Sequence, residues 1–168
     1  MMRRLVELGY DVTPIMSENA YSTDTRFGKA EDFVREAENI CGRSVIHTTV
    51  QAEPVGPQKL FDLLIIAPCT GNTLAKLSLG VTDTSVTMAA KSHLRILRPV
   101  LLCPATNDAL GASAQNIGRL MNTKNIFFVP MAQDDPENKP NSLVADFEKL
   151  PLCVEYALKG RQVQPVFF

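Results

Sequence analysis

The chain has 168 residues, 45 % of them apolar and 21 % charged, with a formal net charge of -1, which suits one ordinary globular core and leaves no basic footprint for nucleic acid or an anionic membrane. No apolar run approaches the ~20 residues that span a bilayer, and Met1–Gly9 carries Glu7 and lacks the long apolar stretch of a signal peptide. Four scattered cysteines (Cys41, Cys69, Cys103, Cys153) without a Cys-x-x-Cys pair, and only two histidines (His47, His93), offer no zinc-ligand spacing, so a reduced, cytoplasmic, metal-free protein is expected.

Apolar spacing predicts a helix over Met1–Leu8, closed by Gly9. Val12–Met16 reads as a short strand, with Pro14 suiting a strand end or edge. From Asp24, an N-cap candidate, Phe27, Ala30, Val34, Ala37 and Cys41 recur at steps of three and four, predicting an amphipathic helix that Gly42 ends. Ser44–Val50 is β-branched and short and reads as a strand. After the turn Glu53-Pro54-Val55-Gly56-Pro57, the uninterrupted apolar run Leu63–Ala67 resembles strands covered on both faces. Helices are predicted over Asn72–Leu79 and Asp83–Leu97, a second buried strand over Pro99–Cys103, and a helix over Asn107–Met121. Ile126–Val129 is a third strand, and Met131–Asn141, with Pro136 and Pro140, a loop. A last helix over Pro151–Lys159, with Pro151 at its first position, leads to the tail Gln164–Phe168.

Strands alternating with helices predict an α/β, doubly wound parallel sheet in a single domain over residues 1–168. Ligands bind such sheets beyond the carboxyl ends of the strands, here the segments beginning at Ser17, His47, Pro68 and Pro104. The most informative is Ala67-Pro68-Cys69-Thr70-Gly71-Asn72-Thr73-Leu74-Ala75-Lys76. Gly71 permits close backbone approach, and Thr70, Asn72 and Thr73 offer hydrogen bonds beside the free N–H groups of a helix start, chemistry that suits a phosphate or the polar edge of a heterocycle. Locally the same residues also read as an ordinary capped turn. Glu53, in a proline-flanked loop, is either an acid or base or a solvated carboxylate. Cys69 is either a nucleophile or a small packing residue. Asp134, Asp135 and Lys139 form a lid or a solvated surface loop, and Lys91 and Arg95 read as an exposed helix face.

The stretch Asp62–Leu77, followed by Gly80-Val81-Thr82-Asp83, resembles the flavoprotein family of flavin-containing cysteine decarboxylases, phosphopantothenoylcysteine decarboxylase and flavin prenyltransferase. The resemblance implies a flavodoxin- or Rossmann-like three-layer sandwich that binds FMN and assembles into homo-oligomers. It implies flavin contacts at Pro68, Cys69, Thr70, Gly71, Asn72 and Thr73, with Asp83 in the same motif, and places Ser17 near the FMN phosphate. Pro104-Ala105-Thr106-Asn107 stands where the decarboxylases carry Pro-x-Met-Asn; Asn107 is retained, and with Glu53 it is the catalytic candidate. The methionine is replaced, the Arg-Glu pair of the prenyltransferases is absent, and neither histidine aligns with the decarboxylases' histidine. Family members open with a strand and a Gly/Ser-rich phosphate loop. This sequence opens inside the helix that follows, so the resemblance implies a sheet short of its first strand and an FMN site weakened or lost.

Ala52–Pro57, Thr106–Gly111, Thr123–Pro130, Gln133–Pro136, Lys139–Ala145 and Gln162–Pro165 extend the resemblance across nearly the whole chain to one branch of that family. The branch implies one subunit of a two-chain oxidoreductase that makes a small pyridine dicarboxylate in the mother cell of spore-forming bacteria. Its implied partner is a nicotinamide-binding, dehydrogenase-like chain, and the implied overall reaction is loss of water and two-electron oxidation. An independent FMN-dependent decarboxylase of a small carboxylate and a non-catalytic assembly subunit are the alternatives.

Overall fold

The computed structural model describes residues 1–168. In chain order its elements are α1 (Met2–Glu7), α2 (Glu18–Ser22), α3 (Ala30–Cys41), α4 (Thr49–Ala52), β1 (Leu64–Cys69), α5 (Gly71–Leu79), α6 (Ser85–Arg95), β2 (Val100–Thr106), α7 (Ala114–Met121), β3 (Ile126–Phe128), β4 (Met131–Ala132), β5 (Leu143–Ala145) and α8 (Leu150–Leu158). Short 3-10 turns occupy Glu53–Val55 and Phe147–Lys149.

β2 is the apolar run that the sequence marks most clearly, and it lies at the centre. Val100, Leu101, Leu102 and Cys103 are all fully buried. Their alternation feeds two cores, as the two-residue period of a strand requires. Val100 and Leu102 pack with Ile66, Leu74, Ala89, Ile117 and Phe128, while Leu101 and Cys103 pack with Leu5, Leu150, Cys153 and Val154. Helices therefore cover both faces, α1 and α8 on one side and α4 to α7 on the other, the doubly wound arrangement that the sequence implies.

β1, β2 and β3 are parallel, with Leu64 opposite Val100 and Val100 opposite Ile126. Beyond Cys103 the edge of β2 passes from β3 to β5, which pairs antiparallel through Ala105–Val144 and Thr106–Leu143 and carries β4 on its far side. β1 pairs with β2 alone, so its other edge has no strand, and Ala67 and Pro68 are exposed rather than covered on both faces. The Ala67–Pro68 peptide is cis.

Several local expectations are corrected. Val12–Met16 and Ser44–Val50 reduce to one parallel bridge, Ile15 to Ile46. The β-branched run Thr48-Thr49-Val50 gives way to α4 because the Thr48 hydroxyl accepts from the Gln51 N–H while the Gln51 side chain accepts from the Thr48 N–H, a complete capping box. Asp24 is not the N-cap: α3 begins at Ala30 with Lys29 at its cap, Phe27 lies outside the helix and exposed, and Asp24 accepts from the Ala30 N–H at 2.9 Å across a tight Thr25–Gly28 turn. The helix placed over Asn107–Met121 begins only at Ala114, because Asp108 organises the preceding residues as turns. The loop over Met131–Asn141 starts in β4 and is followed by β5, both too short to show a period. Asp134, Asp135 and Lys139 bind within that loop, Lys139 Nζ reaching Asp134 at 2.9 Å and Asn138 donating to Asp135. The tail is anchored, with Phe167 bridged to Met131 and Lys149 lying 3.8 Å over the Phe168 ring.

Two consequences follow from the packing around α6. The Ser92 hydroxyl donates to the Glu53 carbonyl at 2.6 Å and accepts from the Gly56 N–H at 2.9 Å. A Cβ at Gly56 would lie 2.1 Å from the Ser92 carbonyl oxygen, a backbone atom that cannot step aside. Gly56→Ala is therefore expected to cost about 3 kcal/mol or more in chemical denaturation, at the upper end of overpacking effects. Beside it, His93 is fully buried and neither ring nitrogen has a hydrogen-bond partner. Burial, reinforced by the Arg98 cation and opposed by the nearby Pro99 backbone and then by Asp62, lowers its pKa to about 4. The unfolded chain then binds the proton more readily, so the contribution of neutral His93 is complete above the ordinary value of 6.5 and is lost as pH falls through about 4. Urea midpoints measured between pH 7 and pH 4 should fall, and His93→Leu should flatten that slope.

Candidate functional site

The carboxyl ends of β1 and β2 lie side by side, Cys69 opposite Pro104. β1 stops where Thr70 turns into the N-cap of α5, its hydroxyl accepting from the Thr73 N–H at 3.4 Å and lying 3.2 Å from the Thr73 hydroxyl. Thr70 and Gly71 form one wall of an open depression of about 460 Å³; Ala105, Thr106, Asn107 and Asp108 form the other, and Val144 of β5 closes an end. Asn107 is exposed at this mouth.

Asp108 gives the depression its structure. The Thr106 hydroxyl donates to Asp108 Oδ1 at 2.5 Å and the Ser113 hydroxyl donates to the same oxygen at 3.0 Å. These bonds, Thr106 first and Ser113 second, hold the Asp108 carboxyl below its ordinary pKa. The cluster rests on the first turn of α5, where a Cβ at Gly71 would meet Thr106 Oγ1 at 2.8 Å, Asp108 Oδ1 at 2.9 Å and Ser113 Oγ at 3.0 Å. A carboxylate against a helix start is favourable for the partial positive charge there.

The other sequence candidates lie outside the lining of this depression. Pro68 and Asn72 are exposed, and Thr73 is half-buried. Cys69 faces the core, fully buried, and burial raises its thiol to about 12, so it is a packing residue without thiolate character. Pro104 is buried within β2. Asp83 is exposed and pairs with Lys76 at 2.9 Å. Ser17 caps α2, accepting from the Ala20 N–H at 3.3 Å. The adjoining Glu18 accepts from the Ser85 N–H at the start of α6, while the Ser85 hydroxyl donates to the Met16 carbonyl at 2.6 Å. Glu53 opens the 3-10 turn with its side chain exposed, outside the lining of the depression.

Asp108, Ser113 and Val144 did not stand out in the sequence, nor did Tyr21, whose ring stacks on His47 at 3.8 Å and 9° where the Ile15–Ile46 bridge ends. The run Thr106-x-Asp108 with Ser113 five residues on was the available signal for the first two. As a set of donors and acceptors, hydroxyls, backbone N–H groups, one amide and one accepting carboxylate suit the polar edge of a planar heterocycle such as a flavin ring. No cation lines the depression to meet a phosphate, and Lys76 of α5 is held by Asp83.

The sequence profile of the flavoprotein family matches residues 1–150. The chain belongs to the flavoprotein family. Within it the chain groups with the B subunits of dipicolinate synthases. It is 47 % identical over 165 residues to the dipicolinate synthase B subunit of Bacillus subtilis, covering 98 % of this chain and 82 % of that protein. The crystal structure of the dipicolinate synthase B subunit from Bacillus halodurans superposes with a TM-score of 0.91 at 47 % identity, covering 99 % of this chain and 86 % of the other. The FMN complex of Burkholderia xenovorans DmrB, described as a cubic protein cage for redox transfer, shares the fold at a TM-score of 0.64 and 16 % identity, covering 93 % and 87 % of the two chains. No helix of this flavoprotein is long and apolar enough to cross a membrane.

Because Gly71 sits under three polar atoms, Gly71→Ala should displace the Asp108 cluster. The expected result is a loss of about 1–2 kcal/mol in urea unfolding, within the overpacking range, together with shifted amide resonances at Asp108 and Ser113.

Proposed function

We propose that the chain is the B subunit of a dipicolinate synthase, helping to convert a dihydroxy- or tetrahydro-dipicolinate precursor to dipicolinate during sporulation, in the cytoplasm of the mother cell. The observation that carries this reading is the 47 % identity sustained over 98 % of the chain. The depression beyond β1 and β2 supports it, since open α/β sheets bind ligands there. The partner is the dipicolinate synthase A subunit, and the chain itself forms a homo-oligomer.

FMN is the proposed cofactor, and when bound it supplies a two-electron acceptor or donor. The chain's own groups position the reactants. Thr70, Gly71, Asn72 and Thr73, at the start of α5, hold the polar edge of the flavin ring, with Pro68 beside them. Ala105 and Thr106 belong to the opposing wall with Pro104 buried behind them in β2, and Asp83 fixes Lys76 at the flank of α5. Cys69 supports this turn from the core, and Ser17, outside the lining of the depression, is the candidate for the FMN phosphate. Asn107, free at the mouth, orients a carboxylate of the substrate through its amide. Glu53 would act as acid or base from outside the depression, on a substrate that extends beyond it.

A second reading, a non-catalytic assembly subunit, is favoured by the acidic neighbours of both helix starts: Asp108 rests on α5 and Glu18 accepts from α6, with no cation lining the depression. Visible absorbance of the purified chain with FMN, followed by dipicolinate formation with the A subunit, separates the two. The catalytic reading expects flavin bands and a faster partner. It also expects Asn107→Ala to lower dipicolinate formation at least about tenfold, the scale of one charge-assisted hydrogen bond, with flavin uptake and urea midpoint unchanged. Tight binding to the A subunit without flavin bands supports the scaffold. A chain that neither binds the dicarboxylate nor alters the A subunit's activity sinks the main reading.

A further inference from the structure

We propose that Asp108 is the specificity-determining residue of the depression, a fixed hydrogen-bond acceptor that selects planar heterocycles presenting an imide N–H. The inference rests on reading the depression as a heterocycle site and names which edge of the ring enters it. Asp108 lines the depression. Both of its hydrogen bonds from within the chain converge on Oδ1, from Thr106 at 2.5 Å and Ser113 at 3.0 Å, and neither uses Oδ2. Two donors on one oxygen fix the plane of the carboxylate and leave the second oxygen an acceptor for a ligand. Its Oδ1 lies over the first turn of α5, where a Cβ on Gly71 would meet it at 2.9 Å.

Asp108 is the one anionic side chain of the lining. The hydroxyl oxygens of Thr70 and Thr106 are neutral and therefore weaker acceptors, and Ala105 and Val144 offer no side-chain polar atom. Asn107 has an amide that both donates and accepts, so it does not discriminate. A carboxylate accepts only. It therefore rewards an N–H edge, disfavours the same ring once that nitrogen is methylated, and repels an anion brought to the start of α5. Asn at this position would turn its carbonyl oxygen toward the two hydroxyls and present an NH2 to the depression, converting acceptor to donor without a change of shape.

The experiment compares the intact chain with its Asp108→Asn variant in two ligand pairs. Lumiflavin and 3-methyl-lumiflavin are followed by fluorescence quenching; uracil and 1,3-dimethyluracil are followed by amide shifts at Gly71 and Asp108. The expected result is a preference of the unmodified chain for the N–H member of about tenfold, as one charge-assisted hydrogen bond supplies, shrinking to within about twofold in Asp108→Asn. Equal affinity for both members in the unmodified chain, a preference that survives in the variant, or no response of the Asp108 amide to any of the four overturns the proposal. The unmodified chain alone can overturn it, so poor folding of the variant would not shelter it. If lumiflavin fails to bind while the uracil pair is still discriminated, the flavin reading falls and the assignment of Asp108 stands. If lumiflavin binds and its methylated form binds equally, the reverse holds.

Discussion

Val100–Leu102 must satisfy hydrogen bonds on both edges at once, to Leu64–Ile66 on one side and to Ile126–Phe128 on the other, while its side chains alternate between two separate cores. A buried strand has no water to replace a lost partner, so the register of all three strands is coupled. The chain can leave this arrangement only past Cys103, where Ala105 and Thr106 change partner to Val144 and Leu143. That change of partner is what opens the depression. It ends the parallel sheet on one side, lets β1 run into its helix on the other, and delivers Thr106, Asn107 and Asp108 to the gap between them.

The polar cluster at this gap adds a second tie between three elements that one hydrophobic core already joins through Leu102, Leu74 and Ile117. Thr106 belongs to β2, Ser113 lies at the entrance to α7, and Gly71 begins α5. Asp108 links all three, and its hydrogen bonds are local enough to form as soon as β2 is placed. The flank toward α6 is organised in the same way, Glu18 and Ser85 exchanging contacts across the end of the Ile15–Ile46 bridge. Side-chain hydrogen bonds add to the short Ala105–Val144 and Thr106–Leu143 pairing in holding the mouth together. Its geometry is consequently more exposed to substitution than the sheet beneath it.

The parts of the fold legible in the sequence were those whose residues decide their own structure. Leu63–Ala67 and Pro99–Cys103 are long enough and apolar enough to be strands wherever they are placed, and Gly80 after α5 takes the left-handed conformation that its position requires. What escaped depends on residues far away or on competition at short range. β4 and β5 are defined by pairing with each other and with β2, a relation no short window contains. Ser44–Val50 has strand propensity, yet the Thr48–Gln51 capping box outweighs it, and that signal was visible three residues apart. At the site, the segment Thr70–Thr73 was legible because a strand, a proline and a helix cap adjoin in sequence. Asp108 was missed although the Thr106-x-Asp108 run with Ser113 was there to read, since its place against α5 arises only when β2 and α5 are brought together, and the place of Cys69 was open because the sequence does not say which face of β1 points inward.

The bare edge of β1 has a bearing on colloidal behaviour. A run such as Leu63-Leu64-Ile65-Ile66 with an unpaired side is the kind of template on which a second chain can add its own strand, and repeated addition leads to precipitates rather than defined assemblies. Pro68 interrupts that template, because a proline has no N–H to offer an incoming backbone. The proline that shapes the approach to the Thr70 turn therefore also acts as a gatekeeper, cutting short the stretch of edge along which an unwanted ladder could grow.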